Sequence, residues 1–372
     1  MSDLQNQIDI ARMQVHTDSY PMSIGELINL YDDGELDIHP EFQRIYRWTD
    51  EQKSKLIESI LLGIPLPSIF VAQRQDGIWD VVDGLQRIST ILSFLGKLKD
   101  ENNAVQIPLK LQATKYLPLL QDKVWEDRHN PENEIDIEVK RIFKREKIDI
   151  KIIKRESDND TKFELFQRLN TGGTRLSDQE VRNCMLLMHN KNAFIWLKEL
   201  SKCESFINSL PVPEKAMHES YDAELALRFF IYRHHHNDIM SEHSDVAPYL
   251  NAEMLEIFRP HNNFDYDREK QIFEKTFTIA YNALEDDAFK KFNHTKNKYE
   301  GAISLPVYEA ASFAISELVA NNEHDDDALI NIFINKTKIL TNDEEFLEVL
   351  RSRTRPIDRM KYMFSIGARV FA

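Results

Sequence analysis

Residues Trp79 to Leu95 read WDVVDGLQRISTILSFL. An apolar run stops at Asp83-Gly84 and resumes with helical spacing at Ile88, with Gln86 and Arg87 in between. A strand that ends in a glycine turn and opens a helix leaves backbone N–H groups aimed at one spot. The helix dipole adds positive potential there, which suits an anion. Arg87 supplies the planar fork that matches a phosphate. Asp83 has the chemistry either to hold Arg87 in place or to bind a metal ion. The same spacing describes an ordinary strand–helix turn with an internal Asp–Arg pair, so both readings stand. A Walker A loop is excluded, because no Gly-Lys-Ser/Thr follows.

Two further clusters could act on the same ligand. Gln43 and Arg44 sit beside Tyr46 and Trp48, a mix of polar and aromatic groups suited to a base or a phosphate. A surface arginine next to a buried tryptophan anchor has the same appearance. In FQRLNTGGTRLSDQEVRN, Asn170 ends a helix before Gly172 and Gly173, where backbone can approach a ligand closely. Arg168, Asn170, Arg175, Glu180 and Arg182 could all face that turn. A helix C-cap followed by a capping box from Ser177 to Glu180 accounts for the same residues without any ligand. The run His234–His236 is set aside as a metal site. Consecutive helical residues fan out by about 100° each and cannot converge on one ion, so these read as surface histidines. The basic segment RSRTR near the C-terminus pairs either with nucleic acid or with the acidic helices.

The elements that must position these residues are legible from periodicity. A helix opens at Ser23 with Ile24, Leu27, Ile28 and Leu30 on one face, and Asp33-Gly34 ends it. A second is capped at Thr49 or Asp50 and stopped by Gly63. PLPSIFVAQ and IWDVVDG read as strands joined by a turn at Asp76-Gly77. A helix is predicted over Arg87 to Leu98. DKVWEDRHNPENEID reads as a flexible surface insertion, and Lys147 to Lys154 alternates as a half-buried strand. From about residue 186 the pattern is nearly all helical, with Phe229, Phe230, Tyr232, Leu255, Ile257, Phe258, Phe273, Phe277 and Tyr281 at helical spacings. The expected class is α+β, a first domain over 1–185 and an all-helical domain over 186–372.

Composition bounds the function. The formal charge of −15 over 372 residues argues against a general polyanion binder and leaves room for a local basic pocket. The two cysteines, Cys184 and Cys203, form no zinc pattern and imply no disulfide framework. The N-terminus has no apolar core of a signal peptide, and no apolar run approaches the roughly 18 residues that span a bilayer. A cytoplasmic protein without membrane contact is expected.

The order of the clusters resembles the N-terminal domain of the GmrSD-type restriction proteins, within the ParB/sulfiredoxin-like superfamily, over roughly residues 20–185. The family's Gln-Arg before an aromatic-x-Trp is matched by Gln43, Arg44, Tyr46 and Trp48. Its Asp-Gly-Gln-Gln-Arg is matched by Asp83, Gly84, Gln86 and Arg87, with Leu85 in place of the first Gln. Its Asn-x-Gly-Gly is matched by Asn170, Gly172 and Gly173. The resemblance implies a ParB-like fold that binds, and can hydrolyse, a nucleoside triphosphate with Mg²⁺ in an anti-phage restriction system acting on modified DNA. It implies that Asp83, Gln86 and Arg87 are catalytic, with Asp83 also the metal ligand. Gln43, Arg44, Gly84, Arg87, Asn170, Gly172, Gly173 and Arg182 would hold the nucleotide. Arg44, Asp83, Arg87 and Asn170 are then expected around one pocket. Sulfiredoxin-type thiol chemistry is not expected, since the loop has no Cys. Many relatives add an HNH nuclease domain, whereas residues 186–372 show no His-x-x-Pro or paired His/Asn signature. They are expected to form a helical scaffold that binds a partner protein. Two rival expectations remain, a metal-dependent DNA-nicking nuclease in the same pocket and a non-catalytic nucleotide- or DNA-sensing module.

Overall fold

The computed structural model describes Leu4 and residues 17–38, 48–100, 102–154, 177–213, 220–235, 240, 242–260, 262–322, 324–352 and 354–372. The chain divides into two compact units, Met1–Arg175 and Leu176–Ala372.

In the first unit, strand β1 (Thr17–Ser23) leads into helix α1 (Ile24–Asp32) and the short β2 (Leu36–Asp37). Helix α2 (Asp50–Leu61) is followed by β3 (Ile69–Gln73), β4 (Trp79–Asp83), α3 (Leu85–Phe94), α4 (Ile137–Arg145) and β5 (Lys147–Ile153). The five strands form one mixed sheet in the order β1-β5-β3-β4-β2. β3 and β4 are an antiparallel hairpin closed at Asp76-Gly77, where Gly77 has φ +92° and the Arg74 N–H donates to Ile78 O at 2.8 Å. β5 alternates as its sequence predicts, with Ile148 and Ile150 buried and Lys147 and Asp149 exposed. It pairs parallel to β3 through Ile69–Ile150 and Val71–Ile152. Ile57 and Ile60 of α2 and Ile88, Ile91 and Leu92 of α3 share one hydrophobic core with Ile69, Val71, Ile148 and Ile150 of the strands.

The helix boundaries come from caps. Ser23 Oγ accepts the Glu26 N–H at 3.2 Å, and Thr49 and Gln52 form a reciprocal capping box at 3.3 and 2.9 Å. α1, α2 and α3 all end in the same motif around Gly34, Gly63 and Gly96. In each, the glycine N–H and the next N–H bond back into the last turn. α3 therefore differs from its expected span of Arg87 to Leu98. Gly96, at φ +68°, sends the Lys97 N–H back to Leu92 O at 2.8 Å and stops the helix. At the other end the left-handed Gly84 lets the helix begin at Leu85.

The segment expected to be a flexible insertion is instead pinned. Trp125 is buried against Phe94 and Phe143, with ring centroids 5.5 and 5.6 Å away. The Val124 N–H donates to Asn133 O at 2.9 Å and the Ile135 N–H to Val124 O at 3.0 Å. Asp127 closes the exposed tip by accepting from the His129 and Asn130 N–H groups at 3.0 and 2.9 Å. Charge made this stretch look solvated, but one large apolar ring ties it to the core.

The second unit is helical, as expected, save for one short hairpin. It runs α5 (Asp178–His189), α6 (Lys191–Leu200), α7 (Glu204–Ser209), α8 (Tyr221–His234), α9 (Val246–Ile257) and α10 (Tyr266–Leu284). The hairpin of β6 (Lys291–Asn293) and β7 (Lys298–Glu300) precedes α11 (Leu305–Asn321), α12 (Asp326–Leu340), α13 (Glu344–Arg351) and α14 (Pro356–Phe371). The Ser177–Glu180 capping box opens α5 as predicted, with Glu180 Oε2 accepting the Ser177 N–H at 2.7 Å. Phe229 and Phe230 of α8 and Phe273 and Phe277 of α10 form an aromatic core, Phe230 and Phe273 stacking at 5.5 Å. Leu255 and Tyr281 are half-buried. His234 and His235 are less exposed than surface histidines. His234 Nε2 lies 3.1 Å from Glu269 Oε2, and His235 stacks on Phe364 at 4.5 Å. His236 lies outside the described residues. Among the described residues no helix is long and apolar enough to cross a membrane.

Candidate functional site

The turn from β4 into α3 is built on Gly84, whose φ of +98° is left-handed backbone that favours glycine. A Cβ there would also come within 2.8 Å of Ile69 Cγ1 and 3.2 Å of Arg87 Nη2. Both conformation and space therefore require glycine, and the requirement sets the direction in which α3 leaves the sheet.

Asp83 and Arg87 face each other across this turn. Arg87 Nη2 donates to Asp83 Oδ2 at 2.9 Å. Arg87 Nη1 donates to the carbonyl of Pro67 and to that of Ser68, the latter at 3.2 Å. The arginine thus straps the approach to β3 onto the start of α3. Its side chain is 12% exposed and that of Asp83 31%. Burial pulls the Arg87 guanidinium below the usual arginine range, and the Asp83 carboxylate opposes this. An arginine so placed holds its position, its guanidinium fixed between the Asp83 carboxylate and the two carbonyls.

A helix leaves its first N–H groups without partners in its own ladder. Side chains of Ser23, Thr49 and Ser177 each cover one such group in α1, α2 and α5. α3 has Gly84 at that position and no side-chain cap. Leu85, where the family pattern has Gln, packs against the hydrophobic core. The Gln86 carbonyl accepts from Thr90 Oγ1 at 2.7 Å, which ties the first turn to the second.

The other expected site residues fall into three groups. Gln43, Arg44 and Tyr46, and likewise Arg168, Asn170, Gly172, Gly173 and Arg175, lie outside the described residues. Trp48 is half-buried and packs against the core of the first unit. Arg182, expected on the ligand phosphates, is a core residue of the second unit. Its side chain is 2% exposed, Nε donates to Gln179 Oε1 and Nη2 to Glu224 Oε2, each at 2.7 Å. The reason is helical phase, since residue 182 shares the buried face of α5 with Met185 and Leu186. Burial lowers its pKa, partly offset by Glu224.

Sequence reasoning missed the two carbonyls that anchor Arg87. The signal was Pro65 and Pro67, because proline cannot donate to a ladder and the chain beside it is free of strand pairing. It also missed the ion cluster at the opposite end of the hairpin. Arg74 Nε binds both oxygens of the buried Asp80 at 2.8 and 2.9 Å, and Nη2 reaches Asp37 Oδ2 at 2.6 Å. Burial pulls the Arg74 pKa down, but the two carboxylates outweigh it and the net shift is upward. Among the described residues no three His, Cys, Asp or Glu side chains gather as a metal site.

No curated protein matches the chain. Residues 24–187, from the first residue of α1 into α5 and including the whole Asp83–Arg87 turn, match the family model of the GmrSD restriction endonuclease N-terminal domain.

Proposed function

We propose that this chain is the nucleotide-binding component of a restriction-type system acting on DNA, and that the Asp83–Arg87 turn holds the phosphates of a nucleoside triphosphate. The observation that carries the reading is the turn itself, a helix start with no side-chain cap beside a half-buried arginine, in a segment that matches the GmrSD N-terminal domain. The N–H groups at the start of α3 bind phosphate oxygens, and Arg87 supplies positive charge beside them. Gln86 orients the attacking water. Mg²⁺ fits as an ion carried in on the phosphates, with Asp83 as its one protein carboxylate, the usual manner in which it is held. Bound there it would neutralise charge on the phosphates. The helical second unit is the platform for a partner protein.

The test is binding and phosphate release for each of the four ribonucleoside triphosphates with Mg²⁺. The variants are Asp83→Asn, which keeps the hydrogen bond to Arg87 but removes the negative charge, and Arg87→Ala. The expected result is turnover in the wild type and its loss in both variants. Absence of nucleotide binding in the wild type, or wild-type turnover in both variants, overturns the proposal. A second reading, a sensing module that binds nucleotide without hydrolysing it, is favoured by one observation. Leu85 is packed on the core where the family pattern has a polar side chain. Binding without turnover selects it.

A further inference from the structure

Helix α4 presents a basic face in an acidic protein. Residues 137–154 hold seven Lys/Arg against three Asp/Glu, in a chain whose 62 acidic residues outnumber its 47 basic ones. The apolar side of α4 is spent inward, with Phe143 buried and Val139 packed on the core. The outward side carries Arg141 and Arg145, one turn apart, flanked by Lys144 and Lys147, all four exposed. Among the described residues no carboxylate pairs with any of the four. Other described cations of the first unit are paired with carboxylates, including Lys53 with Asp50, Lys55 with Glu51, Lys97 with Asp32 and Lys110 with Asp122. Complementing the helix dipole accounts for Lys144 and Arg145 in the last turn. It does not account for Arg141 or for Lys147, which lies beyond the helix.

We infer that this face of α4 is a docking surface for the phosphodiester backbone of duplex DNA. The inference rests on the proposed reading that the system acts on DNA. Arg141 and Arg145 stand about 6 Å apart along the helix axis, within reach of neighbouring phosphates on one strand. Arginine also gives each phosphate a bidentate partner. A membrane surface fits less well. Ile137 and Ile142 are exposed, but they lie about 140° apart around the helix with the arginines between them, so they form no continuous apolar face. The face is separate from the nucleotide turn. Phe143 packs on Phe94, the last residue of α3, whereas the turn lies at the other end of that helix.

The experiment is titration of a short labelled DNA duplex with the full chain across salt concentrations. Four phosphate contacts give a slope of log affinity on log salt of about −3.6, and at 0.1 M salt each contact is worth about eightfold. The variant Arg141→Gln/Arg145→Gln should bind about 60-fold more weakly with a slope shallower by about 1.8. Arg259→Gln/Lys270→Gln, which changes the charge equally on exposed positions of the second unit, should bind as the wild type does. Wild-type duplex binding that the α4 variant leaves intact overturns this face alone. Failure of the wild type to bind duplex at low salt overturns the DNA reading with it. Tighter binding to anionic vesicles than to DNA also overturns the inference.

Discussion

Substitution of Gly84 by alanine tests whether the β4–α3 turn is held as tightly as its geometry implies. Two costs add at this position. Left-handed backbone costs a non-glycine residue about 1–2 kcal/mol. The new methyl would also lie 2.8 Å from Ile69 Cγ1, a branched side chain buried in the core with nowhere to move. Overpacking of that kind costs about 1–3 kcal/mol. Gly77 is the matched control, because its φ of +92° is nearly that of Gly84 at +98°, yet a Cβ there meets nothing within 4 Å. Alanine lowers the entropy of the unfolded chain equally at both sites, so the difference between the variants isolates the clash. The assay is urea unfolding followed by tryptophan fluorescence in a Trp196→Phe background. Three of the four tryptophans, Trp48, Trp79 and Trp125, lie in the first unit, so only that unit then reports. With a slope of about 2 kcal/mol/M, Gly84→Ala should unfold roughly 0.5–1.5 M earlier than Gly77→Ala. Equal midpoints would refute the tight turn, and with it the argument that Gly84 fixes the direction of α3 and the place of Arg87.

Trp125→Ala should cost about 3–5 kcal/mol and speed hydrogen exchange at the Val124 and Ile135 amides, whose backbone bonds it shelters; unchanged exchange would show that the segment is ordered by something else. In the second unit, burial works to raise the Glu269 pKa, but hydrogen bonds from His234 and Arg233 outweigh it and bring it to about 2 from 4.5. The stabilisation it contributes is therefore complete above about pH 4.5 and is lost as pH falls toward 2, no more than about 2 kcal/mol after allowance for screening. Glu269→Gln should flatten acid unfolding over that window, and an unaltered profile would show that the carboxylate is not the sensitive group. Gly367 lets α14 lie directly on α11, since a Cβ there would come within 2.5 Å of Ala310 O. Gly367→Ala should lower the stability of the second unit by about 3 kcal/mol, read at Trp196 in urea, and a neutral result would mean the helices slide apart freely.

Sequence alone determined most of the local grammar. Caps at Ser23, Thr49 and Ser177, the turn at Asp76-Gly77 and the alternating strand at Lys147–Ile153 all depend on contacts within a few residues, so composition and spacing suffice to read them. The Asp83–Arg87 pair was legible for the same reason, being four residues apart across a glycine turn. Tertiary structure decided what required distant partners. The burial of Trp125 among Phe94 and Phe143 joins three distant segments and was hidden behind the charges around it. Arg87 meets the carbonyls of Pro67 and Ser68 only because the sheet brings the start of β3 beside the end of β4. Arg182 became a core residue because the phase of α5 aims it at Glu224, forty-two positions away. A motif names the side chains, but long-range burial decides which of them keep a free face.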